Sequence, residues 1–245
     1  MKALFFCMIF ICISVTSASA FELMGNKTDL FDKENYHSYT GLASMEYYLL
    51  TPRNYDPKKT YPLVVTLHGA SGHSYGAYAL ADPDRRKKYP AFVLVPVISG
   101  LTSWTLPIYT DIKDTPAENI RALIQRLEGK YSIDPKKVYL TGYSIGGIGT
   151  IEMAELYPDE FAAIAPLSGV TVNEDLKNIA TLPIWVFQGQ KDQGMPFEKA
   201  RNFVNELKKL GSPVRYTEYP NLGHGTWETT YENDQFWDWL FSNIR

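Results

Sequence analysis

Short apolar runs alternate with longer amphipathic segments along most of the chain. A short apolar run bounded by turn residues is typical of a strand, and a run without polar alternation indicates a strand buried on both faces, as in parallel sheets. On this pattern we predict strands at residues 44–50, 61–67, 91–96, 137–141, 161–167, 183–188 and 214–219.

The segments between these runs carry helix signals. Thr115 and Glu118 have the spacing of a capping box, and Pro116 stands at the first helical position. A second helix is predicted to begin at Pro196 and to end before Gly211, which is typical of a helix C-terminus. Further helices are predicted at 145–157 and 231–244, the latter with Phe236, Trp239 and Leu240 facing inward.

Strands that alternate with helices of this length predict an α/β domain, with a mostly parallel sheet covered by helices on both faces. No linker divides the later part of the sequence, so we predict one domain at residues 41–245. Residues 21–40 are polar and irregular, and we interpret them as an N-terminal extension.

Residues 1–20 have the pattern of a secretory signal peptide. One lysine precedes an apolar stretch, and the small residues from Ser17 to Ala20 form an A-x-A cleavage pattern. The apolar stretch is short for a membrane span, although a retained signal anchor is the alternative. Cys7 and Cys12 both lie in this segment, so cleavage would leave a secreted or periplasmic protein with no disulfide and no stable membrane insertion.

Composition excludes some partners. The chain is 45% hydrophobic, which suits a globular domain and not a disordered chain. It has 24 Lys and Arg residues against 27 Asp and Glu residues, a net charge of −3. No general positive field attracts nucleic acid, and nucleic-acid binding is not expected. The oligomeric state stays open.

The sequence G-x-S-x-G, formed by Gly142, Ser144 and Gly146, lies between a predicted strand and a predicted helix. This context is typical of a nucleophilic serine on a sharp turn, where glycines let strand and helix approach closely. The turn also puts the serine at a helix N-terminus, which favours developing negative charge. An ordinary glycine turn is the alternative.

A serine nucleophile needs a histidine base that is oriented by a carboxylate. Serine, acid and histidine follow one another in this order in folds with such a turn, and His224 is the histidine that comes late enough. Asp192 follows the strand at 183–188 and should reach the same sheet edge as Ser144. We therefore predict Ser144, Asp192 and His224 as catalytic residues.

Two backbone N–H groups are candidates for an oxyanion hole. Ala70 lies in a small-residue loop after the strand at 61–67, and Ile145 follows the nucleophile. His68 is predicted to be a structural histidine beneath this loop. Because His68 and His73 have no third ligand nearby in the sequence, a metal site has no support.

With these residues in place, the chain resembles the α/β-hydrolase superfamily. The segments at 61–69, 141–147 and 224–227 look like secreted esterases, which include feruloyl esterases, acetylxylan esterases and polyhydroxybutyrate depolymerases. Together with residues 237–240 they also look like dienelactone hydrolases and related predicted peptidases. The resemblance implies acyl transfer to Ser144 and hydrolysis by water, with neither a metal nor an organic cofactor.

The sequence departs from some branches of this superfamily. The loop at 68–71 lacks the HGGG run of hormone-sensitive-lipase-like esterases, and residues 168–182 are too few for a cap domain. An open site suits esters linked to polysaccharide as well as small esters. Aromatic side chains can stack on sugar or phenolic rings, and we predict substrate contacts from Trp104, Tyr143 and Trp227.

The interpretation favoured by these patterns is an exported serine esterase acting on feruloyl or acetyl esters of plant polysaccharide. A serine peptidase or a general short-chain carboxylesterase of the same fold is the alternative. A noncatalytic binding module on the same scaffold would be expected to lack a catalytic residue, and none of the three is missing.

Overall fold

A computed structural model describes residues 27–37, 44–98, 103–105, 115–170 and 176–245. The predicted signal peptide, with both cysteines, lies outside the described residues. Within them, eight strands form one sheet in the order β1-β2-β4-β3-β5-β6-β7-β8. The strands are β1 (Asp32–His37), β2 (Ser44–Leu50), β3 (Tyr61–Leu67), β4 (Phe92–Pro96), β5 (Ile133–Tyr143), β6 (Ala163–Leu167), β7 (Trp185–Gly189) and β8 (Arg215–Tyr219).

Helices cover both faces of this sheet. The apolar side chains of α3, α4 and α6 pack on one face, and those of α1, α7 and α8 pack on the other. The helices are α1 (Tyr75–Leu80), α2 (Pro83–Lys88), α3 (Pro116–Lys130), α4 (Ile145–Leu156), α5 (Leu176–Ile179), α6 (Phe197–Lys209), α7 (Trp227–Tyr231) and α8 (Asp234–Ser242).

Strand β2 runs antiparallel to β1 and β4, and the remaining neighbours pair in parallel. The mostly parallel sheet with two helical layers confirms the predicted fold class. The carboxyl ends of β3, β5, β7 and β8 meet at one edge, and the loops that follow them carry the candidate site.

The predicted helix signals have their expected geometry. The Thr115 Oγ1 accepts the Glu118 N–H at 3.2 Å, and the Glu118 carboxylate accepts the Thr115 N–H at 2.8 Å, which completes the capping box. Gly211, just beyond α6, has a φ of +80°, the left-handed conformation that glycine adopts most readily.

The domain boundary predicted at residue 41 is wrong, because β1 belongs to the sheet. β1 is the outermost strand of the sheet and pairs with β2 from Asp32 to His37. Of its side chains, Tyr36 is buried and the others are exposed or half-buried. A strand that buries one side chain shows no hydrophobic period, which is why its sequence reads as an irregular extension.

The C-terminal helix predicted at 231–244 corresponds to α8, at Asp234–Ser242, and a separate short helix, α7, ends at Tyr231. Glu232 and Asn233 separate the two helices, and Asn233 caps α8 by accepting the Gln235 N–H at 3.0 Å. Phe236 and Leu240 are buried on α8 as predicted. The third buried residue is Trp237 and not the predicted Trp239, which is half-buried. Among the described residues, we find no helix with the length and apolar character needed to cross a membrane.

Candidate active site

Ser144 occupies a sharp turn between β5 and α4. Its backbone has φ +56° and ψ −123°, a strained conformation for a residue with a side chain. A Cβ atom on Gly142 would lie 2.5 Å from the Gly146 carbonyl oxygen, and one on Gly146 would overlap the Leu67 carbonyl oxygen. Both glycines are therefore required by the close approach of α4 to β5 and β3, which holds the serine above the sheet edge.

A continuous chain of hydrogen bonds joins Ser144, His224 and Asp192. The Ser144 Oγ lies 2.9 Å from the His224 Nε2, and the His224 Nδ1 lies 2.7 Å from the Asp192 Oδ2. With Nδ1 donating to the carboxylate, Nε2 is an acceptor for the serine hydroxyl proton. The structure thus brings together the three residues predicted from sequence order.

Asp192 and His224 differ in exposure. The Asp192 side chain is completely buried, whereas 39% of the His224 side chain is accessible to solvent. Asp192 lies in the loop after β7, and His224 lies in the loop after β8. The buried carboxylate can hold the imidazole in a fixed orientation, and the accessible imidazole can act as a base on a bound ligand.

The buried carboxylate of Asp192 has further hydrogen-bond donors besides His224. Its Oδ1 accepts the N–H groups of Gly194 at 3.0 Å and Met195 at 2.9 Å. Its Oδ2 accepts the Gln188 Nε2 at 2.9 Å. These donors compensate the loss of water around the carboxylate and fix its position.

Gln188 was not predicted from sequence as part of the site. Its side chain is buried on β7, and besides Asp192 it donates to the Met195 carbonyl at 2.9 Å. The available signal was a polar residue in an apolar strand, four positions before a candidate acid. A buried amide of this kind needs partners, and the neighbouring carboxylate is one.

The loop after β3, which contains Ala70, packs against Tyr143, the residue before Ser144. No described residue accepts a hydrogen bond from the N–H of Ala70 or of Ile145. The loop is held from below by Tyr143, whose hydroxyl donates to the His73 carbonyl at 2.8 Å and lies 3.1 Å from the Ser71 Oγ. The oxyanion role of the Ala70 and Ile145 N–H groups stays a prediction, with which their lack of an acceptor among the described residues is consistent.

His68 has the predicted structural position. It is 2% exposed, its Nδ1 donates to the Gly69 carbonyl at 2.8 Å, and its Nε2 accepts the Ile98 N–H at 3.2 Å. Burial lowers the pKa of His68, which favours the neutral ring that this pair of hydrogen bonds requires. Within the part of the chain that the structure describes, we find no group of three or more side chains suited to a metal ion.

The structure corrects the predicted substrate contact of Trp104. Its ring is 1% exposed and lies 4.8 Å from the His68 ring. A Cβ atom on Gly149 would come within 2.6 Å of the Trp104 side chain, so the indole fills a slot that this glycine leaves on α4. The sequence pattern shows neither the slot nor the burial, and Trp104 packs in the core against His68 and α4.

Tyr143 is corrected for a similar reason. Its ring is 3% exposed, and a Cβ atom on Gly69 would lie 2.5 Å from it. Burial raises the pKa of Tyr143 to about 12, so its hydroxyl keeps its proton and stays a donor to the loop. Trp227 is the predicted aromatic contact that is half-buried, with its ring 5.5 Å from that of His224.

A buried pair of hydroxyl groups fixes the histidine loop. The Ser168 Oγ lies 2.6 Å from the Thr226 Oγ1, and the Thr226 N–H donates to the His224 carbonyl at 3.0 Å. Ser168 follows β6, whose last residue, Leu167, accepts the Ser144 N–H at 2.9 Å. This bridge links the serine and histidine loops, and no sequence motif signals it.

Comparison with known proteins supplies independent information about the chain. Residues 106–235, more than half of the chain, match the profile of the dienelactone hydrolase family. A solved thermostable esterase superposes with a TM-score of 0.81 at 33% identity, covering 89% of this chain and 64% of that one. This likeness confirms the α/β-hydrolase fold.

Two curated relatives differ in their described activities. The bifunctional acetylxylan esterase/xylanase of Neocallimastix patriciarum is 26% identical over 73% of this chain. The acylamino-acid-releasing enzyme of Mus musculus is 24% identical over 87% of this chain. The chain spans 26% of the length of the first relative and 35% of the second, so their activities belong to longer proteins.

Proposed function

The chain belongs to the dienelactone hydrolase family, and from this membership and the geometry of its site we propose that it is an exported serine carboxylic ester hydrolase. The observation that carries the proposal is the unbroken hydrogen-bond chain from the Ser144 hydroxyl through His224 to Asp192. Such a chain activates a serine for attack on a carbonyl carbon.

The reaction follows from these contacts. As the Ser144 Oγ attacks the ester carbonyl, its proton passes to the His224 Nε2, and Asp192 stabilises the imidazolium. The N–H groups of Ala70 and Ile145 hold the negative oxygen of the tetrahedral intermediate. His224 then protonates the leaving alcohol. Water attacks the resulting acyl-enzyme, and the same proton transfers in reverse release the acid and free Ser144.

We propose that the natural substrates are acyl esters of plant polysaccharide, with a feruloyl or acetyl group. Similarity to a relative named acetylxylan esterase/xylanase supports this substrate class. The segment between β6 and β7 supports it as well, because its described part contains the four-residue α5 and the whole connection is too short for a cap. A site without a cap admits an ester on a large polymer. Export rests on the signal-peptide pattern of residues 1–20.

A serine peptidase is the second candidate, because the chain is also similar to an acylamino-acid-releasing enzyme. The amine nitrogen that leaves from an amide is a poorer leaving group than the alcohol oxygen that leaves from an ester, so amide cleavage depends more strongly on protonation by His224. A general short-chain carboxylesterase would use the same residues without preference for polysaccharide.

A matched set of substrates tests these possibilities. On the purified domain we expect turnover of methyl ferulate and p-nitrophenyl acetate and no measurable turnover of the amide N-acetylalanine p-nitroanilide. Acetate release from acetylated xylan tests the polymer. Comparable rates on the ester and the anilide would favour the peptidase, and activity on small esters without release from xylan would favour the general carboxylesterase.

A further inference from the structure

An aromatic wall, formed by Tyr75 and Trp227, stands beside His224. The two rings are 5.7 Å apart and inclined by 37°, and both residues are half-buried. Tyr75 begins α1 and Trp227 begins α7, two helices that pack together on one face of the sheet. Behind the wall, the buried Tyr143 ring lies 4.3 Å from Trp227 and 5.6 Å from Tyr75. The wall therefore has a rigid support and a partly open front.

The position of the wall identifies the part of the substrate that it faces. The Trp227 ring lies 5.5 Å from the His224 ring, nearly perpendicular to it at 87°. In the proposed reaction the His224 Nε2 must come within hydrogen-bond distance of the leaving oxygen. The group attached to that oxygen consequently lies on the histidine side of the site, where Trp227 is.

We propose that the aromatic wall is a subsite for the leaving alcohol, and that the group it binds is a sugar ring. This inference rests on the proposed function and assigns one side of the same site. A sugar presents C–H groups on its face, which pack on aromatic rings, and hydroxyl groups at its edge. The half-buried His73, whose ring is 6.0 Å from Tyr75, lies next to the wall and carries polar ring nitrogens, and the exposed Ser71 has its Oγ 3.1 Å from the hydroxyl of the supporting Tyr143.

A subsite that binds the leaving alcohol also binds an incoming alcohol, because deacylation retraces acylation. A sugar hydroxyl can then replace water: its oxygen bonds to the acyl carbon as the bond to the Ser144 Oγ breaks. The hydroxyl proton passes to the His224 Nε2 and from there to the Ser144 Oγ. The products are an acyl sugar and free enzyme, and no further reactant is needed. The structure therefore predicts acyl transfer to sugars as a second activity.

Partition of a single acyl-enzyme between acceptors tests this subsite. With p-nitrophenyl acetate as donor, the acetyl products formed with water, methanol and methyl β-xylopyranoside are measured by chromatography. We expect the wild-type protein to transfer acetyl to the xyloside. In Trp227→Leu the ratio of xyloside transfer to hydrolysis should fall by about 2- to 10-fold, the range for one lost aromatic contact, while the methanol ratio stays constant. Tyr75→Leu should act in the same direction and serves if Trp227→Leu fails to fold.

Trp239→Leu is the matched control, because Trp239 is also half-buried but lies on α8 against Trp185, away from His224. It should leave both ratios unchanged. Absence of xyloside transfer by the wild type, an unchanged xyloside ratio in both wall variants, or equal losses with methanol and xyloside would overturn the subsite. Failure of the wild type to release nitrophenol would instead overturn the proposed function itself.

Discussion

Replacing Ser144 by alanine should lower kcat for p-nitrophenyl acetate by about 10⁴-fold or more, because the oxyanion donors alone leave only a small residual rate. Alanine has no oxygen for attack, yet it keeps the Cβ atom that the strained turn already accommodates. The far-ultraviolet circular dichroism and the thermal unfolding midpoint should therefore stay close to those of the unmodified protein. Steady-state kinetics on the two proteins measures the effect.

Ser212→Ala is a suitable control for this substitution. The Ser212 hydroxyl is buried after α6, and among the described residues it has no hydrogen-bond partner, so its removal should leave kcat unchanged. Substantial turnover by a folded Ser144→Ala protein would mean that another group attacks the ester, and the proposed mechanism would be wrong.

Replacing Asp192 by asparagine should lower kcat by about 10³- to 10⁴-fold with little change in KM. The two side chains have the same shape, but an amide nitrogen facing the His224 Nδ1 would donate a hydrogen bond and favour the tautomer that carries its proton on Nε2. That tautomer cannot accept the Ser144 proton. Initial-rate measurements over a range of ester concentrations separate kcat from KM.

Asp238→Asn provides the comparison at a carboxylate outside the site. Asp238 pairs with Lys88 on the surface at 3.1 Å, and loss of an exposed ion pair costs at most about 1 kcal/mol of stability. Its kcat should equal that of the unmodified protein. A folded Asp192→Asn protein with undiminished kcat would show that the carboxylate does not orient His224.

Local sequence signals were sufficient for the features that depend on neighbouring residues. Gly142 and Gly146 indicate a tight turn around Ser144, because a side chain at either glycine would meet backbone atoms of another element. Ser144, Asp192 and His224 could be predicted to lie close together, because each follows a parallel strand and the loops after parallel strands lie at the same end of the sheet. The fold class could be predicted because the alternation of strands and helices is visible in the local hydrophobic pattern.

Features that depend on tertiary packing were not visible in the sequence. Trp104 follows a strand end, where an aromatic residue could line a site, but the open space at Gly149 lets it enter the core instead. The Ser168–Thr226 bridge joins residues that are distant in the sequence, and the role of Gln188 depends on the turn that brings Asp192 back onto its side chain. The outermost strand, β1, buries too few side chains to give its sequence the alternation of apolar and polar residues that is typical of a strand.

Covalent labelling by a fluorophosphonate, followed by mass spectrometry of the digested protein, tests the central claim most directly. We expect one adduct, on the peptide that contains Ser144, with no adduct in Ser144→Ala. Labelling should be greatly slowed in His224→Ala, because the Nε2 that lies 2.9 Å from the serine oxygen is removed. An unlabelled wild-type protein, or an adduct on a different residue, would contradict the assignment of Ser144 as a His224-activated nucleophile.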